Sequence, residues 1–147
     1  MITLSVNGRT FSTAVETNEV LIDTLRRLGF KSVKRGCDTA NCGLCTVLVD
    51  DKPMLSCSLL SLRVEGRSVT TLEGVPDEAK ILGDFLADQG GEQCGFCTPG
   101  LIMNVIAMKR ELDNPSDEEI SHYLAGNLCR CSGYMSQLRA IHRYLEV

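Results

Sequence analysis

Eight cysteines are spread along this chain of 147 residues, and they fall into two sets of four. Cys37, Cys42 and Cys45 lie close together, and Cys57 follows after eleven residues. Cys94-x2-Cys97 and Cys129-x-Cys131 make up the second set. Thiolates are soft ligands, and four of them satisfy either one tetrahedral zinc ion or the two irons of a small iron–sulfur cluster. Structural disulfides belong instead to oxidising compartments. The N-terminal stretch Met1-Ile2-Thr3-Leu4-Ser5 has no charged n-region and no apolar h-region, so a secretory signal is not expected. A cytoplasmic location follows as the expectation, and with it metal ligation as the use of the thiols.

The first set carries the stronger signal. Its C-x4-C-x2-C…C spacing is that of plant-type 2Fe–2S ferredoxins. A loop around such a cluster supplies three thiolates and many backbone N–H donors, and a strand is expected to supply the fourth, Cys57. Gly36 and Gly43 allow close backbone approach to sulfur. A four-thiolate zinc site is the competing reading, but the x4 spacing is less usual there. In the second set each pair is expected at a helix start, where free N–H groups stabilise thiolates. Arg130 adds a positive charge between two of these thiols. On spacing alone, a second zinc site or a redox dithiol at Cys94/Cys97 stands beside a second cluster.

The intervening sequence shows what positions these residues. Ile2, Leu4 and Val6 alternate with polar residues, which predicts a half-buried strand. Asn7-Gly8 predicts a type I′ turn into a second strand over 9–15. A helix presenting Leu21, Ile22, Leu25 and Leu28 is expected next, capped by Asn18 and ended by Gly29. The Cys37–Cys45 stretch reads as a loop. Strands are expected over 46–49, 54–57 and 68–72, with Asp50-Asp51-Lys52-Pro53 as a turn. Together these predict a small mixed sheet with one helix laid on it.

After Gly74 the pattern becomes helical, which places a boundary between residues 1–74 and 75–147. Helices are expected from about Asp77 to Asp88, and from Thr98, as N-cap with Pro99 following, to about Leu112. A third runs from the Ser116/Glu119 capping box to Ala125, and a fourth from Tyr134 to Leu145. Four short helices with brief connections suggest a compact bundle. The fold class is therefore α+β.

Composition narrows the function. Apolar residues make up 44% and charged residues 23%, consistent with a packed core. The net charge of −4 and the scattered Lys and Arg give no sign of nucleic-acid binding, and no apolar run approaches a bilayer span. No Ser–His–Asp set, paired carboxylate site or phosphate loop is visible, so no catalytic residue is expected on this chain. His122 and His142 are read as helix residues without a cofactor role, and the five Met as core filler.

Three stretches carry a resemblance. Arg35-Gly36-Cys37-Asp38-Thr39-Ala40-Asn41-Cys42-Gly43-Leu44-Cys45-Thr46-Val47, Gln93-Cys94-Gly95-Phe96-Cys97-Thr98-Pro99-Gly100 and Gly126-Asn127-Leu128-Cys129-Arg130-Cys131-Ser132-Gly133-Tyr134 resemble the iron–sulfur subunit of the xanthine oxidase family of molybdenum hydroxylases. That family includes aerobic-type carbon monoxide dehydrogenase, nicotinate and purine hydroxylases, and aldehyde oxidoreductases. The resemblance spans nearly the whole chain. It implies a β-grasp, ferredoxin-like N-domain and a four-helix-bundle C-domain, each with one 2Fe–2S cluster. Cys37, Cys42, Cys45 and Cys57 are the ligands implied for the first, and Cys94, Cys97, Cys129 and Cys131 for the second. Gln93 and Cys131 are implied to lie against the molybdopterin cofactor of a large partner subunit. FAD is implied on a medium subunit, facing the N-domain cluster. Ala40, Ser132 and Asp50-Asp51 stand where the family often has Gly, Thr and Asp-Gly, and none of these departures removes a thiol. The implied function is electron transfer within a multisubunit molybdenum oxidoreductase. A freestanding two-cluster ferredoxin is the alternative, and a zinc-binding interaction module a more distant one. The helical half favours the subunit, since a simple carrier needs only the first site.

Overall fold

The computed structural model describes residues 1–147. Five strands form one mixed sheet in the order β2-β1-β5-β3-β4. β1 (Ile2–Val6) and β2 (Arg9–Thr13) make the expected hairpin, with Asn7 and Gly8 at φ of 51° and 77°, both left-handed as a type I′ turn requires. β5 (Ser68–Thr70) runs parallel to β1 and antiparallel to β3 (Thr46–Val49). β4 (Lys52–Leu55) closes the far edge.

This hairpin differs from its sequence reading. The turn is only Asp50-Asp51, at φ of 48° and 64°, and Lys52 and Pro53 belong to the strand. Asp50 is held there because its carboxylate accepts from Ser68 N at 2.9 Å and Arg67 Nε at 2.7 Å. Pro53 is tolerated because β4 is an edge strand. Cys57 consequently lies beyond the strand, in a turn. β2 and β5 also end two residues earlier than their patterns suggest.

The helix α1 (Leu21–Arg27) packs Leu21, Ile22 and Leu25 onto one face of the sheet, against Ile2, Leu4, Val6, Val47, Val49 and Val69. Asn18 does not cap it. Val20 is the N-cap, and the free amides of Leu21 and Ile22 donate to the carbonyls of Leu59 (2.7 Å) and Ser56 (3.0 Å). The segment carrying Cys57 therefore does the work of a cap.

Four helices follow: α2 (Pro76–Asp88), α3 (Thr98–Glu111), α4 (Asp117–Tyr123) and α5 (Met135–Leu145). The Ser116/Glu119 capping box opens α4, with Ser116 N donating to Glu119 Oε2 at 2.8 Å and Glu119 N to Ser116 Oγ at 3.3 Å. Cys97, not Thr98, is the N-cap of α3. The helical core is built on α3, where Leu101, Ile102, Met103, Val105, Ile106, Ala107 and Met108 are all buried.

β3 joins the two halves. All four of its residues are buried, so the strand is covered on both faces. Val47 and Val49 face the α1 core, while Leu48 belongs to the helical core. The sheet thus carries a second helix, α3, on the face that sequence patterning leaves open.

Candidate functional site

The two cysteine sets come together as pairs at the junction of sheet and helices. In the first set Cys37 lies beside Cys42, and Cys45 beside Cys57. Cys45 ends the loop just before β3. Ser56 reaches it from beyond β4, with both its amide (3.3 Å) and its hydroxyl (2.7 Å) donating to Cys45 O, and so sets Cys57 beside Cys45. In the second set Cys94 and Cys131 place their Sγ atoms 3.6 Å apart, and Cys97 lies beside Cys129. All eight cysteines are free thiols.

Backbone and side-chain donors already point at these sulfurs. Asn41 N donates to Cys37 Sγ at 3.4 Å and Phe96 N to Cys94 Sγ at 3.5 Å. Ser132 donates twice to Cys129 Sγ, from its amide at 3.4 Å and its hydroxyl at 3.3 Å. Tyr134 fixes the same loop. It sits at φ 70°, and its hydroxyl accepts from Cys129 N at 3.0 Å. Gln93 Nε2 donates to Cys131 O at 3.1 Å.

These contacts divide the thiols by acidity. Amides of Asn41 and Thr39 bring Cys37 down to about 6, while burial raises its partner Cys42. Burial, reinforced by Cys45, pushes Cys57 up to about 12. Phe96 N–H lowers Cys94, and the shared hydrogen bond with Cys94 raises Cys131. Burial raises Cys97 to about 11. It opposes ionisation of Cys129 too, but the Ser132 bonds outweigh it and bring that thiol down to about 7. Cys129 and Cys131 lie ahead of α5, whose N-cap is Tyr134, so their pair is not at a helix start.

The arrangement suits a binuclear cluster better than a single ion. Two thiols per pair, two pairs per set, is the donor set that two bridged irons take. There is also a cradle. A Cβ on Gly36 would lie 3.2 Å from Cys42 Sγ and 2.6 Å from Leu44 Cδ2, so the glycine lets the chain close on the sulfur. The two sets share one open cleft, lined by Cys37 and Cys42 on one side and Cys94, Cys97, Cys129 and Cys131 on the other. Their exposures differ. Cys42 and Cys45 are buried, whereas Cys94 and Cys131 are exposed. His122 and His142 take no part. His142 Nε2 pairs with Asp117 Oδ1 at 2.5 Å on the outer surface.

Sequence reasoning located every thiol and Gln93, but not Lys34, Ser132, Tyr134 or Gln137 as their supports. Ser132 and Tyr134 follow the C-x-C pair directly, and that proximity was the available signal. Gln137, whose Nε2 approaches Cys97 Sγ at 4.0 Å, is brought there by α5 packing alone.

A ferredoxin-type sheet unit followed by a helical unit, each with four paired thiols, defines a protein with two 2Fe–2S binding domains. Residues 4–69 match the 2Fe-2S iron-sulfur cluster binding domain family, and residues 71–142 match a second 2Fe-2S binding domain family. The chain is 40% identical to the nicotinate dehydrogenase small FeS subunit of Eubacterium barkeri, over 97% of this chain and 92% of that one. It is 43% identical to the xanthine dehydrogenase iron-sulfur-binding subunit of Escherichia coli O157:H7, over 88% and 84%. Among solved structures, quinoline 2-oxidoreductase from Pseudomonas putida 86 superposes with a TM-score of 0.90 at 37% identity, covering 99% of this chain and 93% of that one. Aldehyde oxidoreductase from Desulfovibrio gigas gives 0.91 at 34% identity, covering 100% of this chain and 17% of that longer one. The chain belongs to the iron–sulfur small subunits of the xanthine oxidase family of molybdenum hydroxylases.

Proposed function

We propose that this chain is the electron-transfer subunit of a molybdenum-containing hydroxylase or dehydrogenase. It would relay electrons from a molybdopterin site on a large subunit to FAD on a medium subunit, or to another acceptor. Cys37, Cys42, Cys45 and Cys57 hold one 2Fe–2S cluster within residues 1–74, and Cys94, Cys97, Cys129 and Cys131 hold the other within residues 75–147. Bound there, such clusters supply uptake and release of one electron at a time. The observation that carries this reading is the pairing of the eight thiols into two adjacent sets, six of them lining one cleft.

The chain's own residues do the positioning. The less acidic thiol of each acid-lowered pair keeps its proton until metal displaces it, so loading releases protons. Asn41, Phe96 and Ser132 N–H groups stabilise the negative sulfurs once formed. The exposed Cys94–Cys131 edge, with Gln93 tethered to Cys131 O, is the side that meets the molybdopterin-bearing subunit. Phe96, Leu128, Tyr134 and Met135, all exposed apolar side chains near this edge, supply the surface for that contact. Eight free thiols and the absence of any helix long and apolar enough to cross a membrane are consistent with a cytoplasmic enzyme.

Metal and sulfide analysis of the purified chain tests this. Iron and acid-labile sulfide are each expected at about four per chain. Stoichiometric zinc without sulfide would overturn the proposal.

A further inference from the structure

Lys34 lies in the sheet unit, ahead of Cys37, yet its side chain crosses to the helical unit. Its base is firmly set. Its own N–H donates to Leu44 O at 3.4 Å, and the preceding Val33 is buried, with Val33 O accepting from Arg26 Nη1 at 2.7 Å. Nζ then donates to Gly95 O at 3.3 Å and Phe96 O at 3.4 Å, and sits 4.9 Å from the centroid of the Phe96 ring. Gly95 C=O and Phe96 N–H are the two ends of one peptide group. The far end faces a thiol, because Phe96 N–H is the donor to Cys94 Sγ at 3.5 Å. Ammonium, peptide dipole and sulfur therefore stand in series. Gly95 gives the peptide this orientation at φ 72°, and a Cβ there would lie 3.0 Å from Glu92 Oε1.

A cation at the carbonyl end of a peptide polarises it and strengthens the hydrogen bond made by its N–H. Hydrogen bonds to ligand sulfur and nearby positive charge set cluster potentials, both favouring the more negative, reduced state. We infer that Lys34 is a positioning residue for the helical-unit site. From the sheet unit it orients and polarises the Gly95–Phe96 peptide toward Cys94, and so raises the reduction potential of the 2Fe–2S group held by Cys94, Cys97, Cys129 and Cys131. The inference rests on the ligand assignment proposed above. It makes the potential of one unit depend on a residue of the other, and thus on how the two units are docked.

The test is a potentiometric titration of the assembled enzyme, followed by EPR of the two clusters. The helical-unit signal is the one that Cys129→Ser alters. Lys34→Met keeps an unbranched apolar side chain but removes the charge. It is expected to lower the potential of that signal and leave the other unchanged, while Lys34→Arg stays near wild type. Gly95→Ala, strained at positive φ, is expected to shift the same signal in the same direction. A wild-type potential in Lys34→Met, or an equal shift of both signals, overturns the inference. So does Lys34→Arg shifting as far as Lys34→Met. If Lys34→Met assembles without the site, Gly95→Ala decides, and an unchanged potential there overturns the inference. A wild-type enzyme lacking two distinct 2Fe–2S signals would instead overturn the ligand assignment, so the two failures are told apart.

Discussion

The carbonyl of Cys42 accepts a hydrogen bond from the amide of Leu128 at 2.9 Å. Leu128 directly precedes Cys129, so one hydrogen bond links the backbone beside a thiol of each set. Small residues make this closeness possible. A Cβ on Gly100 would lie 2.3 Å from Gly43 O and 2.8 Å from Leu44 Cα, both backbone atoms. Gly100→Ala gains about 1 kcal/mol of helix propensity in α3. Against that stands a backbone collision of the kind that costs about 1–3 kcal/mol or more. The collision wins because neither atom belongs to a flexible side chain. Gly100→Ala is expected to lower the melting temperature and to weaken the magnetic coupling between the two reduced clusters. An unchanged coupling would show that the Cys42–Leu128 contact does not depend on this packing.

Leu48 is fully buried and is the point where the sheet enters the helical core. Truncation to alanine leaves a cavity between β3 and α3, and core Leu→Ala changes cost about 2–5 kcal/mol. Both halves should feel it, since β3 is shared. Denaturant unfolding of Leu48→Ala, followed separately by cluster absorbance and by far-ultraviolet circular dichroism, should show the two midpoints falling together. A drop in only one would mean that the halves unfold independently.

The two cysteine sets predict two environments. Cys42 and Cys45 are buried beneath the sheet loop, whereas Cys94 and Cys131 are exposed. Reduced enzyme should therefore give two distinct EPR signals, since exposure and hydrogen bonding tune each cluster. Cys57→Ser is expected to perturb one signal and Cys129→Ser the other. Equal disturbance of both signals by either change contradicts the division of ligands.

Much of this was legible because cysteine spacing and turn chemistry are local. Asn7-Gly8, the Ser116/Glu119 box and the C-x4-C-x2-C loop each act within a few residues, and each stands where the sequence places it. What was not legible depends on partners distant in sequence. Asn18 fails as a cap because Leu59 and Ser56 carbonyls satisfy the first amides of α1. Leu48 reads as one residue of a buried strand, and only α3 packing shows which core it joins. Lys34 in sequence is a charge ahead of the first cysteine loop that fits an offset of cluster charge, a subunit contact or a solvated face, and only the fold brings Gly95 and Phe96 to it. Ala40, where the family often has glycine, does adopt φ 55°, so the family glycine reflects backbone geometry and this chain accepts the strain.

Glu73 ties the stretch before the first cysteine loop to the start of the helical half. Its carboxylate accepts from Ser32 N at 3.0 Å and from the hydroxyls of Ser32 and Thr71, each at 2.6 Å. Burial pushes this carboxyl up, but the three hydrogen bonds outweigh burial and hold it below the usual glutamate value. A lowered folded pKa contributes stability that is present above the unfolded value and is lost as pH falls through the folded one. Glu73→Gln should therefore be less stable than wild type at neutral pH, by about 1 kcal/mol given the exposure of the residue. That difference should narrow on acidification below about pH 4.5. Unfolding curves for the two proteins across this range check it, and a constant gap would remove the carboxylate as its source.

Gln93 is the last residue before the exposed Cys94–Cys131 edge. Its Nε2 spends one donor on Cys131 O at 3.1 Å, which leaves the second N–H and the carbonyl oxygen for a partner group. On the proposed function that partner is a polar edge of the pterin. Gln93→Leu keeps all eight thiols but removes the tether on Cys131 and leaves a pterin atom unpaired in a buried interface. One such group costs about 1–3 kcal/mol, or roughly 5- to 150-fold in affinity or rate. Both EPR signals are expected at wild-type intensity, with slower bleaching of cluster absorbance when the assembled enzyme is mixed rapidly with its substrate. Wild-type bleaching rates at unchanged cofactor content would confine Gln93 to its bond with Cys131.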